Sequence, residues 1–180
     1  MTTYLFSLGS NLGAREANLE RALDALRSLA DGPVVASSVF ETAPMYVLDQ
    51  PAFLNCAAAL TSSLPPLAML DAVLSFERAQ GRERSLRFGP RAIDIDIVAA
   101  DDLVVDDPRL TLPHPRLHER AFVLEPLAEI SPDWRHPVLG RTVLELLAAL
   151  QVADGAASVD ADRSPAGVGA ARDGDATVRP

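Results

Sequence analysis

The stretch Arg87–Val98, "RFGPRAIDIDIV", decides how the rest of the chain is read. Isoleucine alternates with aspartate through residues 93–97, with Gly-Pro-Arg upstream and Val-Ala-Ala downstream. A period of two marks a β-strand, and residues two apart share a face, their Cα atoms roughly 6.5–7 Å apart. Ile93, Ile95 and Ile97 therefore take the core face, and Asp94 and Asp96 share the other. Two readings fit that second face. An ordinary half-exposed strand would turn it to water, and the periodicity taken alone favours this. Yet aspartate is among the poorer strand residues, and adjacent like charges repel unless a cation lies between them. Same-face carboxylates suit Mg²⁺, whose remaining ligands come from water and substrate phosphates.

Outward from this strand, "TTYLFSLGS" reads as a first strand ending at Gly9, followed by the turn "GSNLG". Leu19, Ala22, Leu23, Leu26 and Leu29 form a helical stripe within residues 14–30, stopped by "DGP". "VVASSVFET" reads as a second strand and "FLNCAAALTSS" as a third, separated by a loop rich in proline. Pro65 and Pro66 suit the first turn of a second helix, which carries Leu67, Leu70, Val73, Leu74 and Glu77 on one face and ends at Gly81. "AIDIDIVAA" is the fourth strand, and "DDLVVDD" returns from it as a short hairpin. "PHPRLHERAFVLEPLAEI" mixes prolines with short helical turns, and "TVLELLAAL" is a last helix. The order strand, helix, strand, strand, helix, strand is the split βαββαβ arrangement of ferredoxin-like α+β folds, a mainly antiparallel sheet with helices on one face. Residues 1–151 form the expected domain. From residue 152 the Ala, Gly and Asp-rich composition predicts a disordered tail.

Composition narrows the function. The 180 residues carry a net charge of −9, which argues against a large nucleic-acid footprint but leaves room for a basic pocket that takes a nucleotide. All the basic residues are arginine, so neither a Walker phosphate loop nor the usual protein-kinase lysine is present. No apolar run approaches a membrane span and the N-terminus lacks the features of a signal peptide. The single cysteine, Cys56, allows no intrachain disulfide and reads as a small buried hydrophobe, as suits the reducing cytoplasm.

Three groups of residues can carry chemistry. Arg78, Arg82, Arg84, Arg87 and Arg91 crowd the segment before the aspartates. Arginine forks match phosphate oxygens, and carboxylate-held metal beside them is what phosphoryl transfer requires. His114 sits between two prolines with Arg116 and Arg120 close behind, whereas His118 and His136 read as structural. The histidine spacing makes no zinc site. In "ETAPMYVLDQPAFLN", Thr42, Pro44, Phe53 and Asn55 combine a rigid loop, an aromatic wall and an amide, which could read a flat heterocycle. A surface loop entering a strand explains the same residues equally well.

Together these segments resemble the 6-hydroxymethyl-7,8-dihydropterin pyrophosphokinase family of folate synthesis. The resemblance runs in order through "LGSNLG", "ETAP", "DQPAFLN", "ERAQGR", "RFGPRAIDIDIV" and "PHPRLHERAFVLEPL", over roughly residues 4–150. It implies transfer of the pyrophosphoryl group of ATP to the pterin hydroxymethyl oxygen, with AMP leaving. It implies two Mg²⁺ ions on Asp94 and Asp96, and ATP phosphates held by Arg82, Arg91, His114 and Arg120, with Arg84 on the ATP side in the loop that closes over the substrates and Glu77 shaping the nucleotide side. It implies a pterin pocket of Thr42, Pro44, Phe53, Asn55, Asp94 and Phe122, the catalytic residues being Arg82, Arg91, Asp94 and Asp96. Phe88 stands where relatives commonly have Trp, Pro115 where some have Tyr, and the arginine loop is about a residue shorter than in some relatives. A monomer is expected, with no nucleic-acid or membrane partner. Two other classes stay open on the residues alone: another metal-dependent nucleotide-processing enzyme, and a non-catalytic ferredoxin-like module.

Overall fold

A computed structural model describes residues 1–45, 49–80 and 91–161. Its elements are β1 (Thr2–Ser10), α1 (Arg15–Leu29), β2 (Val35–Ala36), β3 (Phe40–Thr42), β4 (Phe53–Ser62), α2 (Pro66–Ala79), β5 (Asp94–Ala100), β6 (Val105–Asp107), β7 (Leu110–Leu112), α3 (Ala121–Ile130) and α4 (Val143–Ala161). The main sheet has the order β2-β4-β1-β5, with β3 also on β4, and its pairings are antiparallel. The ferredoxin-like α+β reading holds, and the central strand is β1.

Alternation along that strand sends side chains into two separate cores. Tyr4, Phe6 and Leu8 pack with Leu19, Leu26, Met69, Val73, Ile93 and the two isoleucines of β5, Ile95 and Ile97, beneath α1 and α2. Leu5 faces the other way and packs with Ala57, Val98, Leu124, Leu127 and Val143, beneath α3 and α4. Helices therefore cover both faces, where the sequence suggested one. The second face is closed only over the half of the sheet where small and apolar residues (Leu5, Ala57, Val98) allow α3 to settle. A register shift between Leu5 and Phe6 in the β1–β5 ladder marks the change.

Other expectations are corrected in detail. The second strand is broken into β2 and β3, because the Ser37 hydroxyl accepts the Ala57 N–H (2.9 Å) where a strand carbonyl would stand. The segment after β5 does not return along it. Asp101 turns with φ +45° and pairs its backbone and carboxylate with Thr3, and the hairpin forms from β6 and β7 around an Asp-Pro-Arg turn. The prolines of residues 113–126 do not confine that region to short turns. α3 runs ten residues through Pro126, since burial of Val123, Leu124 and Leu127 offsets the lost hydrogen bond. α4 continues past residue 152 to Ala161, through alanines that favour helix, and the remainder of the expected tail lies outside the described residues. Among the described residues no helix is long and apolar enough to cross a membrane. Cys56 is buried, its thiol pushed up to about 11, so it packs and does not react.

Candidate active site

Beyond the closed half of the second face, the same three strands lie open and form the floor of a cavity of about 270 Å³. The register sets the floor in rows. Asn55, Gly9 and Asp94 stand side by side across β4, β1 and β5; in the next row Ser7 and Asp96 line the cavity, while Ala57 beside them is already covered by the second core. Asp94 and Asp96 do share one face, with Ile95 and Ile97 buried on the opposite one.

Gly9 lies inside β1 and not at its end. A Cβ there would come within 2.9 Å of Asn55 Oδ1, so the bare backbone keeps the floor flat beside the amide. Asn55 is 4% exposed and its Nδ2 donates to Thr42 Oγ1 at 2.6 Å, which fixes the amide and aims Oδ1 across Gly9. Phe53 from β4 and Phe122 from the first turn of α3 supply aromatic walls, with the Arg120 guanidinium 5.6 Å from the Phe122 ring centre. Thr42, Ala43, Met45 and Gln50 complete the ring side, and Arg91, His114 and Arg120 the charged side. Pro44 belongs to the same loop but is not in the wall. Arg82 and Arg84, like Phe88, lie outside the described residues.

A second cavity, of about 320 Å³, opens at the outer edge of β5. Leu70, Leu74 and Glu77 of α2 face Ile95 and Ile97, and Arg109, Thr111 and Pro115 close the far side. Asp96 and His114 line both cavities. Leu70, Arg109 and Thr111 are the wall residues missed in sequence, where only the "DPR" turn marked Arg109. Arg109 pairs with Asp71 across the mouth. Glu77, 1% exposed, accepts the Ile95 N–H at 2.8 Å, and so holds the strand from its edge between the two aspartates.

The charges oppose one another by design of the fold. Burial, then the neighbouring Asp94, push Asp96 up to about 7, against the pull of Arg120 and Arg91. The Asp94 carboxylate is bonded to Arg91. Burial, then Arg120, push His114 down to about 4, so its imidazole is neutral at pH 7. Its Nδ1 accepts the Arg116 N–H (3.1 Å), which leaves the proton on Nε2 as a donor. Arg120 Nε is buried with no hydrogen-bond partner among the described residues. His136 is structural, its Nδ1 accepting the N–H groups of Val138 and Leu139. Among the described residues no three His, Cys, Asp or Glu side chains converge as a metal cage. A pair of carboxylates, one held back from ionising first by burial and then by the other, instead fits a hard dication that completes its shell with phosphate oxygens and water.

Comparison with known proteins gives concordant findings. The family described as 7,8-dihydro-6-hydroxymethylpterin-pyrophosphokinase (HPPK) matches residues 5–132. The 2-amino-4-hydroxy-6-hydroxymethyldihydropteridine pyrophosphokinase of Pseudomonas aeruginosa is 46% identical over 144 residues, 79% of this chain and 88% of that protein. The enzyme of the same name from Methylorubrum extorquens is 46% identical over 151 residues, 83% and 94% of the two chains. Among solved structures, the Plasmodium falciparum HPPK-DHPS with pterin and p-hydroxybenzoate superposes with a TM-score of 0.69 at 16% identity. That match covers 88% of this chain and 44% of the longer one, and supports the fold.

Proposed function

The chain belongs to the 7,8-dihydro-6-hydroxymethylpterin-pyrophosphokinase family, and from that premise we propose how its two cavities divide the work. The protein is an ATP-dependent pyrophosphokinase of folate synthesis, transferring the pyrophosphoryl group to 6-hydroxymethyl-7,8-dihydropterin. The cavity over Gly9 takes the pterin. Asn55, steadied by Thr42, reads the ring edge, Phe53 and Phe122 hold its faces, and Pro44 stiffens the loop behind. The cavity beside β5 takes the nucleotide, with its base among Leu70, Leu74 and Ile97. The observation that carries this division is that Asp96 and His114 line both cavities, so the phosphates lie between the ring and the nucleoside.

In that passage His114 donates from Nε2, and Arg120 offers its Nε, which has no partner among the described residues. Arg91 turns from Asp94 toward phosphate oxygen, joined by Arg82 and Arg84 from the neighbouring segment. Two Mg²⁺ ions held by Asp94 and Asp96 would offset phosphate charge and polarise the reacting oxygens. The pterin hydroxymethyl oxygen forms a bond to the β-phosphorus and gives up its proton to water, the bond from that phosphorus to the α,β-bridging oxygen breaks, and AMP departs with the electron pair. His114 is committed as a donor and does not serve as the base. Glu77 fixes β5, keeping the carboxylates in register with both substrates.

The domain spans residues 1–151 in this reading, since the second core continues through Leu150 on α4. The lone buried thiol supports a cytoplasmic setting. The test is product analysis with Mg²⁺, ATP and 6-hydroxymethyl-7,8-dihydropterin. AMP forms in step with pterin consumption. ADP as product would refute pyrophosphoryl transfer.

A further inference from the structure

Ser10 ends β1 and Asn11 opens the turn after it; they are 0% and 1% exposed, an unusual depth for two polar side chains at the start of a loop. Asn11 joins two segments that otherwise approach the site separately. Its N–H donates to the Arg91 carbonyl (3.1 Å), and the Arg91 N–H donates back to Asn11 Oδ1 (2.8 Å). Its Nδ2 donates to Gln50 Oε1 (3.1 Å) and to the Pro51 carbonyl (3.2 Å). The neighbouring Ser10 Oγ donates to the Ala92 carbonyl (2.6 Å) and accepts Asn18 Nδ2 (3.0 Å) from α1. Asn18 Oδ1 in turn accepts Arg21, whose Nε donates to Gln80 Oε1 (3.2 Å) at the end of α2. These bonds reach the ring-side loop and the stem that carries Arg91 from a buried centre, and the end of the helix that carries Glu77 through Arg21 at the surface.

We infer that Asn11 is a positioning residue for the transfer, tying the ring-side loop to the backbone of Arg91 so that ring and phosphates meet at a fixed offset. The inference rests on the division of the two cavities given above. The side chain must accept on one side and donate on the other, within a buried turn. Aspartate lacks the donor, serine lacks the reach to serve both partners, and alanine has neither. Because Asn11 lines neither cavity, its effect travels through the two segments and not through contact with substrate.

The test compares Asn11→Ala with Ser62→Ala, which removes an equally buried hydroxyl bonded to Leu29 O (2.7 Å) at the other end of β4. Amide hydrogen exchange is measured on the ligand-free proteins, beside steady-state kinetics. Asn11→Ala is expected to speed exchange at Gln50, Ala52 and Arg91 by about tenfold, the loss of roughly one net hydrogen bond. It also raises the KM for pterin and lowers kcat, with the KM for ATP held. Ser62→Ala lowers stability without moving either kinetic constant. The inference fails if Asn11→Ala leaves exchange at either segment within about twofold of wild type, or raises it evenly across the sheet as Ser62→Ala does. Should Asn11→Ala not fold, Asn11→Ser is read by the same two criteria. If the wild-type protein forms no AMP from ATP and the pterin, the functional reading falls while the exchange comparison still decides the tether.

Discussion

Asp96→Asn should make the metal-free protein more stable at alkaline pH while abolishing turnover. Asp96 is pushed from 3.8 up to about 7 in the folded chain, first by burial and then by Asp94. A carboxyl raised in this way favours the folded state while protonated. Its contribution is complete below its unfolded value and is lost as pH rises through about 7. Each pKa unit corresponds to about 1.4 kcal/mol, so roughly three units set a ceiling near 4 kcal/mol, and relaxation around a coupled pair reduces this to about 1–3 kcal/mol. His114, lowered to about 4 by burial and Arg120, acts in the opposite sense, since its stability cost appears as pH falls below the unfolded histidine value. The difference between the two proteins, not either curve alone, therefore isolates Asp96. Urea unfolding in EDTA from pH 4 to 8.5 should show the advantage of Asp96→Asn growing to about pH 7 and then levelling. Added Mg²⁺ with a non-hydrolysable ATP analogue should stabilise wild type far more than the variant. An advantage that is absent at pH 8, or independent of pH, would refute the account of an unrelieved carboxylate pair.

Three further outcomes follow from the same geometry. The acid limb of kcat/KM should lie near the Asp96 value of about 7 at limiting Mg²⁺ and move to lower pH as Mg²⁺ is raised, because cation and proton compete; a limb insensitive to Mg²⁺ would contradict this. Gly9→Ala should raise the pterin KM at least about tenfold with the ATP KM little changed, since its Cβ would press on Asn55 Oδ1 at 2.9 Å; isothermal titration with each substrate separates the two. Glu77→Ala should lose about 1–3 kcal/mol in urea unfolding by leaving the buried Ile95 N–H without an acceptor, while Glu77→Gln retains one and recovers most of it.

The sequence is most informative where a short period imposes geometry. Alternation of Ile and Asp is enough to place both carboxylates on one face, because a pleated strand offers no alternative. The pairing of Asn55 with Thr42 was anticipated only as shared membership of a loop. Its geometry depends on β3 lying antiparallel to β4, which hinges on the Ser37 hydroxyl interrupting a strand that looks continuous. Gly9 shows a different limit. It reads as a strand end, since glycine commonly closes one, whereas its role depends on neighbours from β4 and β5 that are some forty-six and eighty-five positions away. The wall of the second cavity was missed because Leu70 comes from α2 and Arg109 and Thr111 from the β6–β7 hairpin, two segments each unremarkable alone. Coverage of the second face escaped notice because the prolines before α3 mask a helix that only tertiary burial sustains.

The register shift beside Leu5 divides one continuous sheet face into a packed half and an open half. Selection can therefore act on a single strand through two different currencies. In β4, Ala59 opposite Leu5 answers to folding and Asn55 opposite Gly9 to turnover, although they lie on the same face; in β5, Val98 and Asp96 divide likewise. A saturation library scored separately for soluble yield and for product should split across the strands at the shift, not between them. Tolerance to substitution in this family member is then a property of position along a strand, and drift in the packed half can proceed without retuning the chemistry in front of it.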